Sequence, residues 1–167
     1  MDTPEIERIV RAAYDEHADA IFRYCHTRIS NRELAKELMQ ETFMRTFRYL
    51  SGGRAILHMK PFLYKTAKNL TIDWYAKKTS EPISLEILIE TGVHLYDTET
   101  EDPEEHAEKN EAIRAIHELP PNYREVLLLR YVEGLTLKEI ASALDVRETT
   151  VAVRIHRGIR HLRKILT

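Results

Sequence analysis

The sequence predicts an all-α protein made of two small helical domains joined by a flexible acidic linker. Apolar residues recur mostly three or four positions apart, no convincing alternating segment is present, and only five of the 167 residues are glycine. Residues 1–80 carry 14 Lys and Arg against 10 Asp and Glu, residues 81–120 carry 2 against 12, and residues 121–167 carry 9 against 5. Charge asymmetry of this kind indicates nucleic-acid contact at the two basic ends, although a solvated helical protein with an acidic loop fits the composition equally well.

Capping signals define the first two helices. Thr3 is the expected N-cap of the first helix, because a proline follows it and acidic residues occupy the next turn. Ser30 and Glu33 have the spacing of a capping box and are expected to start the second helix. The glycine pair in Ser51–Arg54 ends that helix, because glycine permits backbone conformations that a helix does not.

A third helix is expected to open at Pro61, within the segment "MKPFLYKTAKNLTIDWYAKK" (59–78). This segment interleaves aromatic residues with lysines and holds a single acid. Aromatic rings stack on unpaired bases while lysines follow the phosphate backbone, so the pattern is typical of single-strand capture. The alternative is that Phe62 and Trp74 belong only to the core. With this helix the first domain spans residues 1–80.

Residues 81–105 are acidic and poor in core-forming residues, which is typical of a flexible linker. The second domain, 106–167, has the form of a helix-turn-helix. Thr136 and Glu139 have capping-box spacing for a short helix, and Thr149 or Thr150 is expected to cap the longer basic helix that follows. An amphipathic helix with a solvated basic face is the alternative, but the short helix, turn and basic helix together favour DNA binding.

Other classes of protein are disfavoured by what the sequence lacks. The single Cys25 excludes an intramolecular disulfide, lies in an apolar helical context as a structural thiol, and fits a reducing compartment. No signal peptide is apparent, and the longest aliphatic run is too short to cross a bilayer, so we expect a cytoplasmic protein without membrane insertion. Because no zinc motif or glycine-rich phosphate loop is present, we expect no metal, cofactor, small-molecule substrate or catalytic residue, and thus no enzyme.

Three segments in this order resemble the extracytoplasmic-function (ECF) sigma factors of bacterial RNA polymerase, which are sigma-70-like. "ELMQETFMRTFR" resembles that family's polymerase-binding helix, usually D-L-V-Q-E-T-F-x-R. "FLYKTAKNLTIDWYAKK" resembles its strand-opening and −10 reading helix, W-L-Y-x-I-A-x-N-x-x-I-D-x-x-R. "ELPPNYREVLLLRYVEGLTLKEIASALDVRETTVAVRIHRG" is similar to its −35 binding domain almost throughout.

The resemblance implies a sigma factor that binds core RNA polymerase, recognises −10 and −35 promoter elements and promotes DNA opening for transcription initiation. The implied polymerase-docking residues are Glu37, Gln40, Glu41, Phe43 and Arg45. The residues implied for the melted −10 strand are Arg54, His58, Lys60, Phe62, Tyr64, Lys65, Lys68, Asn69, Asp73, Trp74, Lys77 and Lys78. Those implied for the −35 duplex are Arg147, Thr149, Thr150, Arg154, His156, Arg157 and Arg160.

The resemblance also implies an anti-sigma factor as a partner. The alternative is a helix-turn-helix regulator that binds duplex DNA without docking to polymerase. One departure bears on promoter choice: the family's usual G-T-V-K-S-R reads "TTVAVR" here, so Ala152 and Val153 replace a basic and a hydroxyl residue. We therefore predict a −35 preference that differs from the family's common one, with thymine methyl groups as partners for these two side chains.

Overall fold

The computed structural model describes residues 1–29, 31–79 and 111–167, and these residues form helices and the turns between them. The amino-terminal half contains α1 (Thr3–Arg28), α2 (Arg32–Ser51) and α3 (Met59–Thr79). In the carboxy-terminal half the helical elements are α4 (111–117), α5 (Pro121–Leu127, continued by a π-helical turn over Leu128–Val132), α6 (Leu137–Leu144) and α7 (Glu148–Leu166). The predicted all-α fold is confirmed, whereas the predicted linker (81–105) lies outside the described residues.

The helix starts differ from the predicted ones by one or two residues. Asp2, not Thr3, is the N-cap of α1, since its carboxylate accepts a hydrogen bond from the backbone nitrogen of Glu5 at 2.9 Å. Asn31 is the N-cap of α2, and the predicted cap Ser30 lies outside the described residues. Helix α3 begins two residues before Pro61. The shifts at α1 and α2 are local, because Asp and Asn oxygens compete well with hydroxyls for the same amide.

Helices α1, α2 and α3 pack against one another as a three-helix bundle. Its core includes Ile21, Cys25, Phe43 and Leu63, all of which are buried. The turn between α2 and α3 contains a glycine in the left-handed region, as the glycine pair in the sequence predicts. This bundle holds the basic and aromatic helix α3 on the side of the molecule that faces the second half.

Helices α5, α6 and α7 form the predicted helix-turn-helix with a supporting helix behind it. The capping box is confirmed: the Thr136 hydroxyl accepts from the Glu139 nitrogen at 3.1 Å, and the Glu139 carboxylate accepts from the Thr136 nitrogen at 2.7 Å. The turn places Asp145 in a left-handed conformation, with φ 57°. The prediction that Thr149 or Thr150 caps the basic helix is wrong, because α7 begins before both of them.

The two halves pack together through α3 and α6. Leu63 and Ala67 of α3 belong to the same buried cluster as Ile140 and Ala143 of α6 and Val151 of α7. The sequence leaves the relative placement of the two domains open. In the structure they share one apolar core, and this placement determines which predicted site residues are accessible.

Candidate nucleic-acid interface

Helix α7 presents a stripe of side chains on the side away from the core. Val151 is fully buried and anchors the inner side of the helix. Thr149, Val153, His156 and Arg160 are exposed and follow one another at intervals of four, three and four residues, so they lie along one face. Val153 is 47% exposed in the middle of this stripe. A helix face of this kind fits the major groove of duplex DNA.

The other predicted −35 residues border the stripe. Arg147 and Arg157 are exposed, whereas Thr150 and Arg154 are half-buried. The structure therefore brings all seven predicted residues to one helix and its N-cap. Ala152 is exposed as well, so the two residues that depart from the family pattern are both accessible to a ligand.

Two predicted strand-binding lysines of α3 lie against the second half of the molecule. The Lys65 ammonium is 4.0 Å from the carboxylate of Asp145, in the turn of the helix-turn-helix. Lys68 is half-buried, and its pKa is lowered mainly by burial and further by the charge of Lys65, while the carboxylates of Glu125 and Asp145 act to raise it. Both lysines therefore face acidic groups that belong to the carboxy-terminal half.

The aromatic residues of α3 are held by neighbours within the first bundle. The ring of Phe62 lies 4.8 Å from that of Tyr49, centroid to centroid. Trp74 contacts Tyr75 edge to face at 4.8 Å, and the Lys78 ammonium lies 5.0 Å from the Trp74 ring centroid. This distance is within the range of a cation–π interaction, here between two residues of the same helix. Both Phe62 and Trp74 are half-buried, and Trp74 also packs against the buried core of the bundle.

The polar −10 residues occupy the open side of α3. Asn69 and Lys77 are exposed and Lys60 is half-buried. Asp73 is exposed, and its carboxylate lies 3.9 Å from the guanidinium of Arg45 on α2. This contact links a residue predicted to bind DNA with one predicted to bind polymerase, so the two predicted surfaces meet between α2 and α3.

A basic pocket lies beside the turn that joins α2 to α3. Arg54 projects over the ring of Tyr49, with its guanidinium carbon 5.2 Å from the centroid. His58 is exposed in the same loop, and Leu57 is 89% exposed. The pocket has a volume of about 320 Å³ and is lined by Arg45, Arg48, Tyr49, Gly52 and Arg54. Cationic walls beside an aromatic ring suit an unstacked base and its phosphate, and Arg48 is a member that the sequence did not indicate.

The predicted polymerase-docking residues lie along α2. Glu37, Gln40 and Arg45 are exposed, and Glu41 is half-buried. The Glu41 carboxylate accepts hydrogen bonds from the Arg45 side chain at 3.2 Å and from Arg48 at 3.1 Å. This side of the helix is a polar surface with fixed charge positions, although surface pairs of this type contribute little to stability.

Phe43 forms the floor of a groove between α1 and α2. It is 4% exposed, and its ring meets that of Tyr14 edge to face at 5.0 Å. Met44, which is 49% exposed, lies at the surface of the same groove. The groove has a volume of about 640 Å³ and is lined by Glu7, Val10, Arg11, Tyr14, Gln40, Phe43, Met44 and Phe47.

Sequence reasoning missed two buried carboxylates that join the halves. Glu125 of α5 is 2% exposed, forms an ion pair with Arg28 of α1, and accepts a hydrogen bond from the Tyr24 hydroxyl at 3.2 Å. Its only sequence signal is a charged residue next to the apolar run "VLLL". A buried carboxylate needs partners of this kind, because its desolvation is otherwise costly.

Glu133, in the turn after α5, is the second buried carboxylate that joins the two halves. Its side chain is 3% exposed, and its carboxylate accepts from the guanidinium of Arg23 at 3.0 Å and from the Tyr64 hydroxyl at 2.8 Å. Tyr64, a predicted −10 residue, is itself only 1% exposed. The carboxylate is therefore bound between α1 and α3, and it engages a side chain that the family pattern assigns to DNA.

Two further titratable groups are perturbed by burial. Burial raises the pKa of the Cys25 thiol to about 12, so it stays protonated and is a structural thiol. Burial, with the nearby charges of Arg124 and Arg28, lowers the pKa of His117 to about 4. Within residues 1–29, 31–79 and 111–167, no group of three or more His, Cys, Asp or Glu side chains is arranged to hold a metal ion. No helix in the described part of the chain combines the length and apolarity needed to cross a membrane.

Comparison with known families assigns both halves. Residues 13–81 match sigma-70 region 2, and residues 109–162 match region 4 of sigma-70. The bundle of α1–α3 and the helix-turn-helix unit are thus the two regions of a sigma-70-type transcription factor.

Relatives narrow this class. The ECF RNA polymerase sigma factor SigW of Bacillus subtilis is 32% identical over 160 residues, which cover 91% of this chain and 86% of that protein. The ECF RNA polymerase sigma-E factor of Haemophilus influenzae is 30% identical over 140 residues, 79% of this chain and 74% of that protein. The chain belongs to the ECF RNA polymerase sigma factors.

A solved structure agrees on the fold. The sigma factor RpoE from Bartonella quintana, crystallised with the anti-sigma factor NepR, superposes with a TM-score of 0.62 and covers 93% of this chain and 95% of its own. Its sequence is 15% identical, so the likeness shows the fold alone.

Proposed function

We propose that this sigma factor binds core RNA polymerase and directs it to promoters with separate −10 and −35 elements. The observation that carries the proposal is the presence, in one chain, of a lysine–aromatic helix (α3) and a helix-turn-helix (α6 and α7). A regulator that binds only duplex DNA does not need the lysine–aromatic helix. The alternative of such a regulator is not favoured, because residues 13–81 match a sigma-70 region that is distinct from the helix-turn-helix.

The −35 element is bound by α7 in the major groove. Arg147, Arg157 and Arg160 supply guanidinium groups for phosphates and guanine edges, because the guanidinium fork donates two parallel hydrogen bonds. His156 and Thr149 add polar contacts within the exposed stripe. Thr150 and Arg154, at the border of the stripe, contact the flanking phosphates.

The −10 element is bound as a melted strand along α3 and the preceding turn. The pocket beside Tyr49 and Arg54 receives an unstacked base, while Trp74 offers a stacking edge and Asn69 a hydrogen-bonding amide. The lysines of α3 follow the phosphates. Strand opening needs no covalent step, so the chain has no catalytic residue and requires no cofactor.

Polymerase docks on α2 through its exposed polar residues and the groove over Phe43. The Bartonella relative was crystallised with an anti-sigma factor, and we propose a partner of that class for this chain. Since polymerase and chromosomal DNA are cytoplasmic in bacteria, the protein acts in the cytoplasm.

Transcription with purified core polymerase tests the proposal. With the chain added, core polymerase is expected to produce a promoter-dependent transcript. The chain is also expected to co-elute with core polymerase on a size-exclusion column. Replacing two α2 residues, Gln40→Ala with Met44→Ala, should weaken co-elution, whereas Arg8→Ala, at an exposed arginine of α1, should not. Failure to co-elute and absence of any promoter-dependent transcript would refute the proposal.

A further inference from the structure

An apolar side chain projects from the turn between α2 and α3. Leu57 is 89% exposed, the highest value for any large hydrophobic side chain in the described residues, and Met1 follows at 64%. Single exposed leucines are common on protein surfaces, so exposure alone does not indicate a function. What distinguishes Leu57 is how its loop is held and which side chains surround it.

The loop that carries Leu57 is held at both ends. On the α2 side, the Gly53 nitrogen donates to the Leu50 carbonyl at 3.0 Å, and the left-handed φ of 78° at Gly53 turns the chain away from the helix. On the α3 side, the Phe62 nitrogen donates to the His58 carbonyl at 3.3 Å. Leu57 therefore projects from a short segment between two helix ends.

Basic residues surround this leucine. Arg54 and His58 are exposed in the same loop, and Lys60 is half-buried at the start of α3. An anchor for a protein partner usually lies within an apolar patch. Proteins that kink DNA instead insert a single apolar wedge between base steps, while basic side chains around it hold the phosphates. The surroundings of Leu57 therefore favour DNA over a protein as its ligand.

The length of chain between Leu57 and the basic pocket sets the reach of such a wedge. Arg54 lines that pocket and precedes Leu57 by three residues. Three residues span at most about 10 Å, and stacked bases are about 3.4 Å apart along one strand. Leu57 thus lies within about three base steps of a base held in the pocket.

We propose that Leu57 is an apolar wedge that enters the base stack at the edge of the opened −10 segment, next to the base held in the pocket. The inference rests on the proposed function, which supplies the melted strand. Burial of the leucine side chain between bases offsets part of the unstacking cost. The wedge therefore acts when duplex DNA opens, and it is not needed once the strands are already apart.

Two forms of one promoter separate these steps. A promoter obtained by transcription over a randomised library is prepared as a full duplex with 2-aminopurine in the −10 segment, and again with non-complementary strands over that segment. The 2-aminopurine fluorescence measures unstacking of the duplex by core polymerase with the full chain, and transcript yield is measured on both forms. Leu57→Ala removes the wedge, and Leu57→Phe replaces it with another apolar side chain that proteins use in this way. Leu166→Ala is the matched control, because Leu166 is a 48% exposed leucine of α7.

Leu57→Ala should slow opening of the duplex about tenfold, because full burial of a leucine side chain contributes about that factor or more. Transcription of Leu57→Ala from the pre-opened promoter should equal that of the parent chain. Leu57→Phe should open the duplex at the parental rate, and Leu166→Ala should match the parent on both forms. An unchanged opening rate for Leu57→Ala, or an equal loss on the duplex and pre-opened forms, would overturn the inference. Loss of co-elution with core polymerase would assign Leu57 to a polymerase contact and would overturn it as well.

Failure of the wedge is distinguishable from failure of the proposed function. A parent chain that yields no promoter-dependent transcript from the library refutes the sigma activity, and the wedge with it. A parent chain that transcribes both forms of the promoter, with Leu57→Ala equal to it on each, supports the sigma activity and refutes the wedge alone.

Discussion

Replacing Glu125 with glutamine tests how strongly the two halves are coupled. Glutamine keeps the shape of the side chain but removes the charge that balances Arg28, which is 5% exposed. Breaking a buried pair from one side costs roughly 3–5 kcal/mol. We expect the lower end, about 3 kcal/mol, because the Arg28 guanidinium also donates to the Tyr24 carbonyl at 3.0 Å and to the Thr27 hydroxyl at 3.1 Å.

Urea unfolding followed by tryptophan emission is a direct assay. The single tryptophan, Trp74, lies on α3, in the half opposite to Glu125. For a slope of about 2 kcal/mol per molar urea, a loss of about 3 kcal/mol moves the midpoint down by about 1.5 M. Glu118→Gln, at an exposed carboxylate of the same half, should change stability by less than about 0.5 kcal/mol. If Glu125→Gln leaves the Trp74 transition where it was, the halves unfold independently and the coupling is refuted.

Four other outcomes follow from the structure. Ala152→Lys with Val153→Ser should shift the preferred −35 sequence in a selection from randomised duplexes; an unchanged preference shows that these positions do not read bases. His117 is held neutral by a pKa of about 4, below its ordinary 6.5, so its contribution to stability is complete above pH 6.5 and is lost as pH falls toward 4. Discounted for its partial exposure, this loss is about 1 kcal/mol, and His117→Gln should flatten the pH dependence of urea unfolding by that amount. Native Cys25, buried and with its pKa raised to about 12, should react with iodoacetamide only at the rate of unfolding; rapid labelling at pH 8 contradicts its burial. Gly158→Ala places a methyl 3.1 Å from the Leu127 side chain and 3.3 Å from the Tyr123 Cβ, so a melting experiment should show destabilisation of about 1 kcal/mol despite the better helix propensity of alanine.

Local signals in the sequence predicted the helices and the helix-turn-helix well. The capping box of Thr136 and Glu139 fixes the start of α6, and the glycine pair after α2 ends that helix as expected. Helix starts were less certain, since Asp2 competes with Thr3 for the same amide and small differences in geometry decide between them. Helical spacing predicted the inner side of α7 at Val151, whereas Arg154, which the same spacing places outside, is half-buried.

The packing of the two halves was not predictable in this way. Glu125 meets Tyr24 across 101 residues of sequence, and Glu133 meets Arg23 across 110. Contacts between residues so far apart leave no periodic pattern in the sequence, because the residues around one partner do not identify the other partner. The burial of Tyr64 has the same origin: its position within α3 favours a DNA contact, and only the tertiary arrangement covers it.

Transcription by core polymerase over a randomised promoter library tests the central claim most directly. With this chain present, the transcripts should share two separated sequence elements, one read as duplex by α7 and one as a melted strand by α3. The −35 element should differ from the family's common one because of Ala152 and Val153. A library that yields no chain-dependent transcript, while the chain alone binds a duplex operator tightly, would contradict the sigma-factor function and indicate a duplex-binding regulator.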